Sequence, residues 1–452
     1  MLLLFRDLRI SFLFLLTGAL LFSSCASVPR LQSQVMALSS VGKFDEAADR
    51  LGSSGASYGS GNDLLFWLDR GLTEQAAGRY QDSIKSFEKA KGLFRELYTT
   101  SLTQEGASWL FNDRALAYRG ADYEYVLLNV FQSINFVMLG NVAEALVEAR
   151  DLDARIRTFD SAAYRNQNGD HFEDNGFARL WFGLLYEALG ETAALNDAWI
   201  SYRQALLVYD NYYEKKYVPL LLQEEYISSA MYFRDNELAA LQARFQAARP
   251  VPLAQKLQKA RIYVVCLLGQ APEKVSDSIL IPVGDGMVTR FSLPRLARRP
   301  SEVVTARIQV VGGEEQRTVE TELGVDIADL AERAVMSAQA WLVAKAALRP
   351  ALKQLVLRQQ KKNLEKRFGG DAGFIFGLLA SAYNLYSEQA DLRSWEALPE
   401  QIRVARIFVD PGLYRMSLEG VDARGDGVRS MELGSHDLKA GETVYILRRI
   451  WP

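Results

Sequence analysis

Residues 64–90 read LLFWLDRGLTEQAAGRYQDSIKSFEKA, and they carry the clearest structural signal in the chain. Large, small and turn-forming residues follow one another at the spacing of two antiparallel helices: Trp67, Gly71, Gly78, Tyr80, Phe87 and Ala90. Gly71 allows the first helix to approach its neighbour closely, and Gly78 closes the turn. Because Tyr80 and Phe87 then fill the space between the helices, we predict a packed helical hairpin here.

The same arrangement is that of the 34-residue tetratricopeptide repeat, although Glu74 and Ser83 depart from its pattern. Weaker copies supply similar small and aromatic residues at Gly42, Phe44, Ala47 and Leu51; at Gly140, Val142, Ala145 and Ala149; and at Gly183, Tyr186, Gly190, Ala198, Tyr202 and Ala205. A divergent last pair covers residues 226–245. We therefore predict an α-helical tetratricopeptide-like solenoid over residues 35–249, with a concave face that binds peptides or proteins.

After Pro250-Val251-Pro252 the pattern changes to short β-branched or alternating runs separated by Gly and Pro. The predicted strands cover residues 261–268, 278–283, 287–293, 303–311, 316–323, 403–409, 413–418, 428–433 and 443–449. A helix is predicted over residues 326–348, with Asp326 as its N-cap. We predict one α+β domain over residues 250–452, in which both ends of the segment contribute to an antiparallel sheet.

The middle of this domain holds a basic helix to about Arg367 and then the apolar, small-residue-rich segment Ala372–Tyr386. These segments fit either a membrane-surface element or a solvated basic face followed by a buried helix. The apolar segment is shorter than the roughly 20 residues that a membrane-spanning helix needs. We favour the buried helix.

The N-terminus has the layout of a bacterial lipoprotein signal. Arg6 and Arg9 precede an apolar run, Ile10–Phe22, that is too short to span a membrane but suits a signal peptide. The run ends in Phe22-Ser23-Ser24-Cys25, which resembles a lipobox with Phe22 in place of the usual Leu. We predict a signal peptide at residues 1–24, acylation of Cys25 and a lipidated linker at residues 25–34; the alternative is an ordinary signal peptide. Ala26, rather than Asp, indicates the outer membrane.

The composition excludes some classes of function. Lys and Arg number 52 against 55 Asp and Glu, so a basic nucleic-acid-binding surface is not expected. Only 2 His and 2 Cys leave little material for a His/Cys metal site or for His-dependent catalysis. If Cys25 is acylated, Cys266 is the remaining thiol, and its apolar strand predicts a buried, inert side chain. We therefore predict no metal, no cofactor and no nucleic-acid partner.

A long insertion between repeats, residues 99–125, mixes aromatic with charged residues, as binding surfaces often do. The candidate partner-binding residues are Trp109, Asn112, Asp113, Tyr118, Arg119 and Tyr123. The other interpretation, which we favour, is a helix that caps the groove.

Residues 390–399 read ADLRSWEALP, which resembles the A-D-x-R-S-W-x-x-L-P hallmark of a family of uncharacterised bacterial lipoproteins. That family joins a tetratricopeptide-like N-terminal half to a C-terminal module. Asn112-Asp113, Tyr118-Arg119-Gly120 and Glu124 resemble its second motif, and the resemblance covers residue 35 to the end. It implies a lipoprotein architecture without an established activity. Relatives are often encoded beside lipoproteins that activate penicillin-binding proteins, which implies a role in the cell envelope.

Within this motif, Arg393 is expected to pair with Asp391 or with a helix carboxylate. Two interpretations remain open: a structural clamp that ties helix to sheet, which we favour, and a ligand site formed by Asp391, Arg393 and Trp395.

Together these patterns predict a non-enzymatic, lipid-anchored scaffold or adaptor at the outer membrane, facing the periplasm. Its partners would be the membrane, through the lipid, and envelope proteins that include regulators of peptidoglycan synthesis. The alternatives are a wall- or carbohydrate-modifying enzyme that uses paired carboxylates, and an accessory lipoprotein of an export system or pore.

Overall fold

The computed structural model describes residues 27–108, 116–159, 174–284, 287–313, 315–338, 343 and 390–451. The first part is helical, with a short 3-10 turn at Gly55–Tyr58. Its helices are α1 Ser27–Ser40, α2 Phe44–Gly52, α3 Asp63–Ala76, α4 Tyr80–Ser108, α5 Asp122–Met138, α6 Val142–Phe159, α7 Gly176–Leu189, α8 Thr192–Tyr212, α9 Leu220–Phe233, α10 Leu238–Arg244 and α11 Leu253–Lys256. Successive helices pack as pairs, α3 on α4, α5 on α6 and α7 on α8.

Glycines shape these pairs as predicted. Left-handed backbone (φ of 73° to 78°), which glycine adopts without strain, ends the first helix of four pairs at Gly42, Gly78, Gly140 and Gly190. A Cβ on Gly71 would lie 2.4 Å from the ring of Phe87, and one on Gly183 would lie 2.5 Å from Tyr202. In each of these two pairs the helices therefore approach more closely than any residue other than glycine would allow at position 71 or 183.

The second part of the chain is built of strands. They are β1 Ala260–Leu268, β2 Glu273–Gly284, β3 Met287–Ala297, β4 Thr305–Gly312, β5 Glu315–Glu320, β6 Glu322–Asp326, β7 Gln401–Val409, β8 Gly412–Val421, β9 Gly427–Leu438 and β10 Thr443–Ile450. Sheet 1 has the order β10-β1-β7-β6, sheet 2 has the order β5-β4-β8-β9, and β2 pairs with β3 as a hairpin.

Two details differ from the sequence-based prediction. The predicted strand over residues 316–323 is two strands, because the chain passes from β5 in sheet 2 to β6 in sheet 1 at Thr321. The sheet is also not wholly antiparallel: β10 runs parallel to β1, with Tyr263 opposite Tyr445. A parallel neighbour needs a long crossover, and the whole of sheet 2 lies between these two strands in sequence.

Sheet 1 is the middle of three layers. Alternate residues of β1, such as Ile262 and Cys266, pack against sheet 2, and the intervening residues, such as Val265, pack against the helices. The core between helices and sheet 1 runs without a break from Leu31 to Leu447. The predicted helical and α+β regions, divided at residue 250, thus share one hydrophobic core.

The boundaries of three elements can be compared with the sequence-based prediction. Residues 27–34, predicted to be linker, are helical, because α1 packs Leu31 into the core. The helix α4 continues to Ser108, so the insertion after it begins later than residue 99. Asp326 caps the helix of residues 327–338 as predicted, since its Oδ1 accepts the Asp329 N–H at 3.0 Å.

None of the helices in these described ranges is both long and apolar enough to cross a membrane. The segment Ala372–Tyr386 lies outside the described residues.

Candidate functional site

The motif at residues 390–399, called the motif segment below, lies between the helices and sheet 1. Arg393 donates from Nε and Nη2 to the two carboxylate oxygens of Asp391, at 2.8 and 2.7 Å. Its Nη1 donates to Oδ1 of Asn62 and to the carbonyl oxygen of Leu116, both at 3.0 Å. The predicted pair of Arg393 with Asp391 is therefore present. Through Asn62, Arg393 also joins the motif segment to the start of α3.

Glu124, in the first turn of α5, is the acceptor at the centre of the site. The hydroxyl of Tyr118 donates to its carboxylate oxygens at 2.6 and 2.8 Å. The N–H groups of Ala121 and Trp395 donate to the same carboxylate at 3.0 and 3.1 Å. Burial and the charge of Glu124 raise the pKa of Tyr118 well above its usual value, which keeps the hydroxyl a donor. Arg393 lies over this ring, 5.7 Å from its centroid.

Trp395 is the apolar anchor of the motif segment. Its side chain is 1% exposed. Its ring meets Phe87 of α4 and Phe131 of α5 edge to face, with centroid distances of 6.1 and 5.8 Å. A buried tryptophan in this arrangement adds both area and aromatic contact energy to the attachment.

Asp69 of α3 forms the other polar contact with the motif segment. It accepts hydrogen bonds from the Tyr58 hydroxyl at 2.7 Å, from Gln32 at 3.1 Å and from the N–H of Ala397 at 3.3 Å. Burial raises its pKa to about 7. One carboxylate thus connects α1, the 3-10 turn, α3 and the motif segment.

These contacts and those of sheet 1 occupy one side of α3, α5 and α7. Trp395 lies on Phe131, and Trp181 of α7 meets Tyr445 of β10 at 5.8 Å between centroids. Gly324 of β6 approaches Phe177 so closely that a Cβ would lie 2.5 Å from its ring. The chain's own motif segment and sheet 1 therefore cover this side of the helices.

A buried ion network lies further along the same boundary. Lys256 is fully buried; its Nζ contacts the carboxylate of Glu187 at 3.0 Å and also that of Glu225. Arg406 of β7 binds both Glu225 and Glu224. Burial alone would raise the pKa of Glu225, but Lys256 and Arg406 hold it below its usual value. The network joins α7, α9 and α11 to sheet 1.

The structure thus brings together four of the predicted residues, Tyr118, Asp391, Arg393 and Trp395. Arg119 is exposed and does not enter the cluster, and Tyr123 is half-buried beside it. The predicted Cys25, Trp109, Asn112 and Asp113 lie outside the described residues. Among the described residues, no group of three His, Cys, Asp or Glu side chains is placed to hold a metal ion.

Sequence reasoning missed Asp69, Asn62 and Gln32. A signal for Asp69 was present, because it is a lone acid among the buried leucines of α3: Leu64, Leu65, Leu68 and Leu72. A buried carboxylate in such surroundings needs donors from elsewhere in the chain.

Comparison of the chain with protein-family models, with curated proteins and with solved structures gave no match.

Proposed function

We propose that this protein is a non-enzymatic adaptor, lipid-anchored at Cys25 to the outer membrane and facing the periplasm, that holds envelope proteins such as regulators of peptidoglycan synthesis. One observation carries the proposal. The charged side chains of the candidate site bond to groups of the same chain: Asp391 to Arg393, and Glu124 to the hydroxyl of Tyr118 and the backbone N–H of Trp395. This supports the clamp interpretation of the motif over a ligand site, and a clamp that fixes helices to sheet yields a rigid platform.

The helix pairs, with their repeated glycine turns, are proposed to be tetratricopeptide-like repeats. Since their inner side is already filled, partners are expected on a different surface. The loops that precede α3, α5 and α7 are the best candidates. The exposed Arg119 lies in one of them, directly after the buried Tyr118, so the clamp holds this loop in place.

The lipid anchor is tested by metabolic labelling with an alkyne fatty acid in cells that make the full chain. Label is expected in the wild-type protein and not in the Cys25→Ser variant. Equal labelling of both proteins, or of neither, would contradict the anchor.

The adaptor role is tested by placing a photo-crosslinking amino acid at position 119 in cells. A discrete adduct with an envelope protein is expected. The matched control is position 413. Leu413 is 67% exposed, lies on sheet 2 and is far from this loop in the sequence. The same adducts from both positions, or none from position 119, would count against partner binding by this loop.

A further inference from the structure

Three helices of the helical half run in the same direction. The ends of α1 and α3 lie together, because Arg79, three residues after α3, donates to Asp45 in the first turn of α2 at 2.9 Å, and α2 follows α1 after a three-residue turn. Midway along both helices Gln32 of α1 and Asp69 of α3 are hydrogen-bonded at 3.1 Å. Gln75 and Asn135, near the last turns of α3 and α5, are hydrogen-bonded at 2.8 Å. The first residues of α1, α3 and α5 therefore lie at one end of the helical half, which we call the loop end.

The hairpin β2–β3 starts from this same end. Arg393 binds Asn62, which directly precedes α3, and Lys274 of β2 donates to the carbonyl oxygen of Arg393 at 3.0 Å. Arg299, just after β3, pairs with both Glu273 and Glu396 at 3.0 Å. The base of the hairpin is thus fixed to the motif segment, two hydrogen bonds from the start of α3.

Beyond its base the hairpin stands apart from the rest of the sheet structure. Within the described residues β2 and β3 pair only with each other, over 12 and 11 residues, a length of about 40 Å at the usual rise per residue. The strand sequence from Ile279 to Val283 is wholly apolar, and Ile279 is 61% exposed. The register of the hairpin sets Ile279 opposite Phe291.

We propose that the hairpin β2–β3 rests on the phospholipid bilayer beside the acyl anchor. The inference depends on the proposed acylation of Cys25. Because α1 begins two residues after Cys25 in the sequence, and two residues span at most about 7 Å, the proposed acyl group would be attached next to the loop end. A bilayer that holds the acyl chains therefore lies next to the base of the hairpin.

The chemistry of the hairpin suits a lipid surface better than a charged protein partner. Its charged side chains near the base are paired within the chain, Arg295 with Asp277 at 3.1 Å and Arg299 with Glu273. Ile279 is exposed and begins the apolar sequence Ile279–Val283, and apolar side chains are stabilised at the boundary of headgroups and acyl chains.

The two native cysteines make a clean test feasible. Cys266 is buried, and burial raises its pKa to about 12, so it does not react with thiol reagents near neutral pH. With Cys25 acylated, a cysteine introduced at an exposed position is the thiol that takes up a label. The test variant is Ile279→Cys. The control is Val41→Cys, 68% exposed at the opposite end of α1.

Full-length acylated protein of each variant carries an environment-sensitive fluorophore and is reconstituted into phosphatidylethanolamine–phosphatidylglycerol vesicles with brominated acyl chains. At position 279 we expect a blue shift and at least a twofold loss of fluorescence by bromine quenching, and at position 41 neither.

Absence of quenching at position 279 in protein that floats with the vesicles would overturn the hairpin contact and leave the anchor intact. A blue shift without quenching would indicate contact with protein and would overturn it as well, as would equal quenching at both positions. Quenching at position 279 that persists in the Cys25→Ser background, which has neither an acyl group nor a second accessible thiol, would support the hairpin contact independently of the anchor.

Discussion

The carboxylate of Glu124 accepts a hydrogen bond from the backbone N–H of Trp395 at 3.1 Å, across 271 positions of sequence. The same carboxylate accepts the N–H of Ala121 and so also stabilises the first turn of α5. The attachment of the motif and the start of a central helix therefore depend on one buried side chain. This coupling makes the clamp accessible to mutation.

Replacing Glu124 by Gln should lower the free energy of unfolding by about 2–4 kcal/mol. The shape is kept, but one acceptor oxygen becomes an NH₂ group that faces donors. Urea unfolding measures the change. The control is Glu144→Gln in the first turn of α6, where the exposed side chain should change stability by less than about 0.5 kcal/mol. Equal effects of the two variants would show that Glu124 is not a central acceptor.

Trp395→Ala should cost about 3–5 kcal/mol, because it removes a fully buried ring from between Phe87 and Phe131. Trp395→Phe should cost less, since part of the aromatic contact remains. We also expect the alanine variant to unfold in two steps, because the helices and sheets lose their shared anchor. Far-UV and near-UV circular dichroism would detect the two steps. A single unchanged transition would mean that the rest of the core is sufficient to couple the two parts.

The buried Asp69 predicts a dependence of stability on pH. Its pKa is raised to about 7 in the folded protein against 3.8 for the unperturbed group, so the folded state binds the proton more tightly. The stabilisation from this group is full below about pH 4 and is lost as the pH rises through 7. By linkage the loss is about 4 kcal/mol.

The measurement for Asp69 is urea unfolding of the wild type and of Asp69→Asn between pH 4 and pH 8. The asparagine variant should gain stability relative to the wild type as the pH rises. Asp63→Asn, at the exposed start of the same helix, is the control and should show a constant difference. A constant difference for Asp69→Asn would refute the raised pKa.

Lys256→Met should destabilise the protein by about 3–5 kcal/mol, because it leaves Glu187 and Glu225 buried without their shared cation. Adding Glu187→Gln should restore part of the loss, since it removes a buried charge that then has only Arg261, at 3.5 Å, as its cation. Lys259→Met removes a surface ion pair with Asp410 and should cost less than about 1 kcal/mol. Similar costs for both lysines would argue against a buried network.

What the sequence could predict was local. The contact of Gly71 with Phe87 and the pair of Arg393 with Asp391 each lie within a short segment, so spacing and charge were enough. The contact of Trp395 with Phe131 spans the chain, and no local pattern specifies which helix face receives the tryptophan. Lys256 and Lys259 look alike in sequence, and burial of the first is decided by Glu187 and Glu225, which arrive from other helices.

The close contact of Gly71 with Phe87 gives a further test. The same substitution, glycine to alanine, should change the free energy of unfolding in opposite directions at two positions. Gly71→Ala should lower the free energy of unfolding by about 1–3 kcal/mol, because its Cβ would lie 2.4 Å from the Phe87 ring. Gly92→Ala, on the exposed face of α4 with no atom within 4 Å of the new Cβ, should raise it by about 0.5–1 kcal/mol through the better helix propensity of alanine.

Combining Gly71→Ala with Phe87→Leu separates steric conflict from a general effect on the helix. The leucine makes room for the new methyl group, so the double variant should be more stable than the sum of the two single changes by about 1 kcal/mol or more. Gly92→Ala combined with Phe87→Leu should be additive, because Gly92 meets no side chain. Additivity in both cycles would mean that the close approach of α3 to α4 does not depend on Gly71.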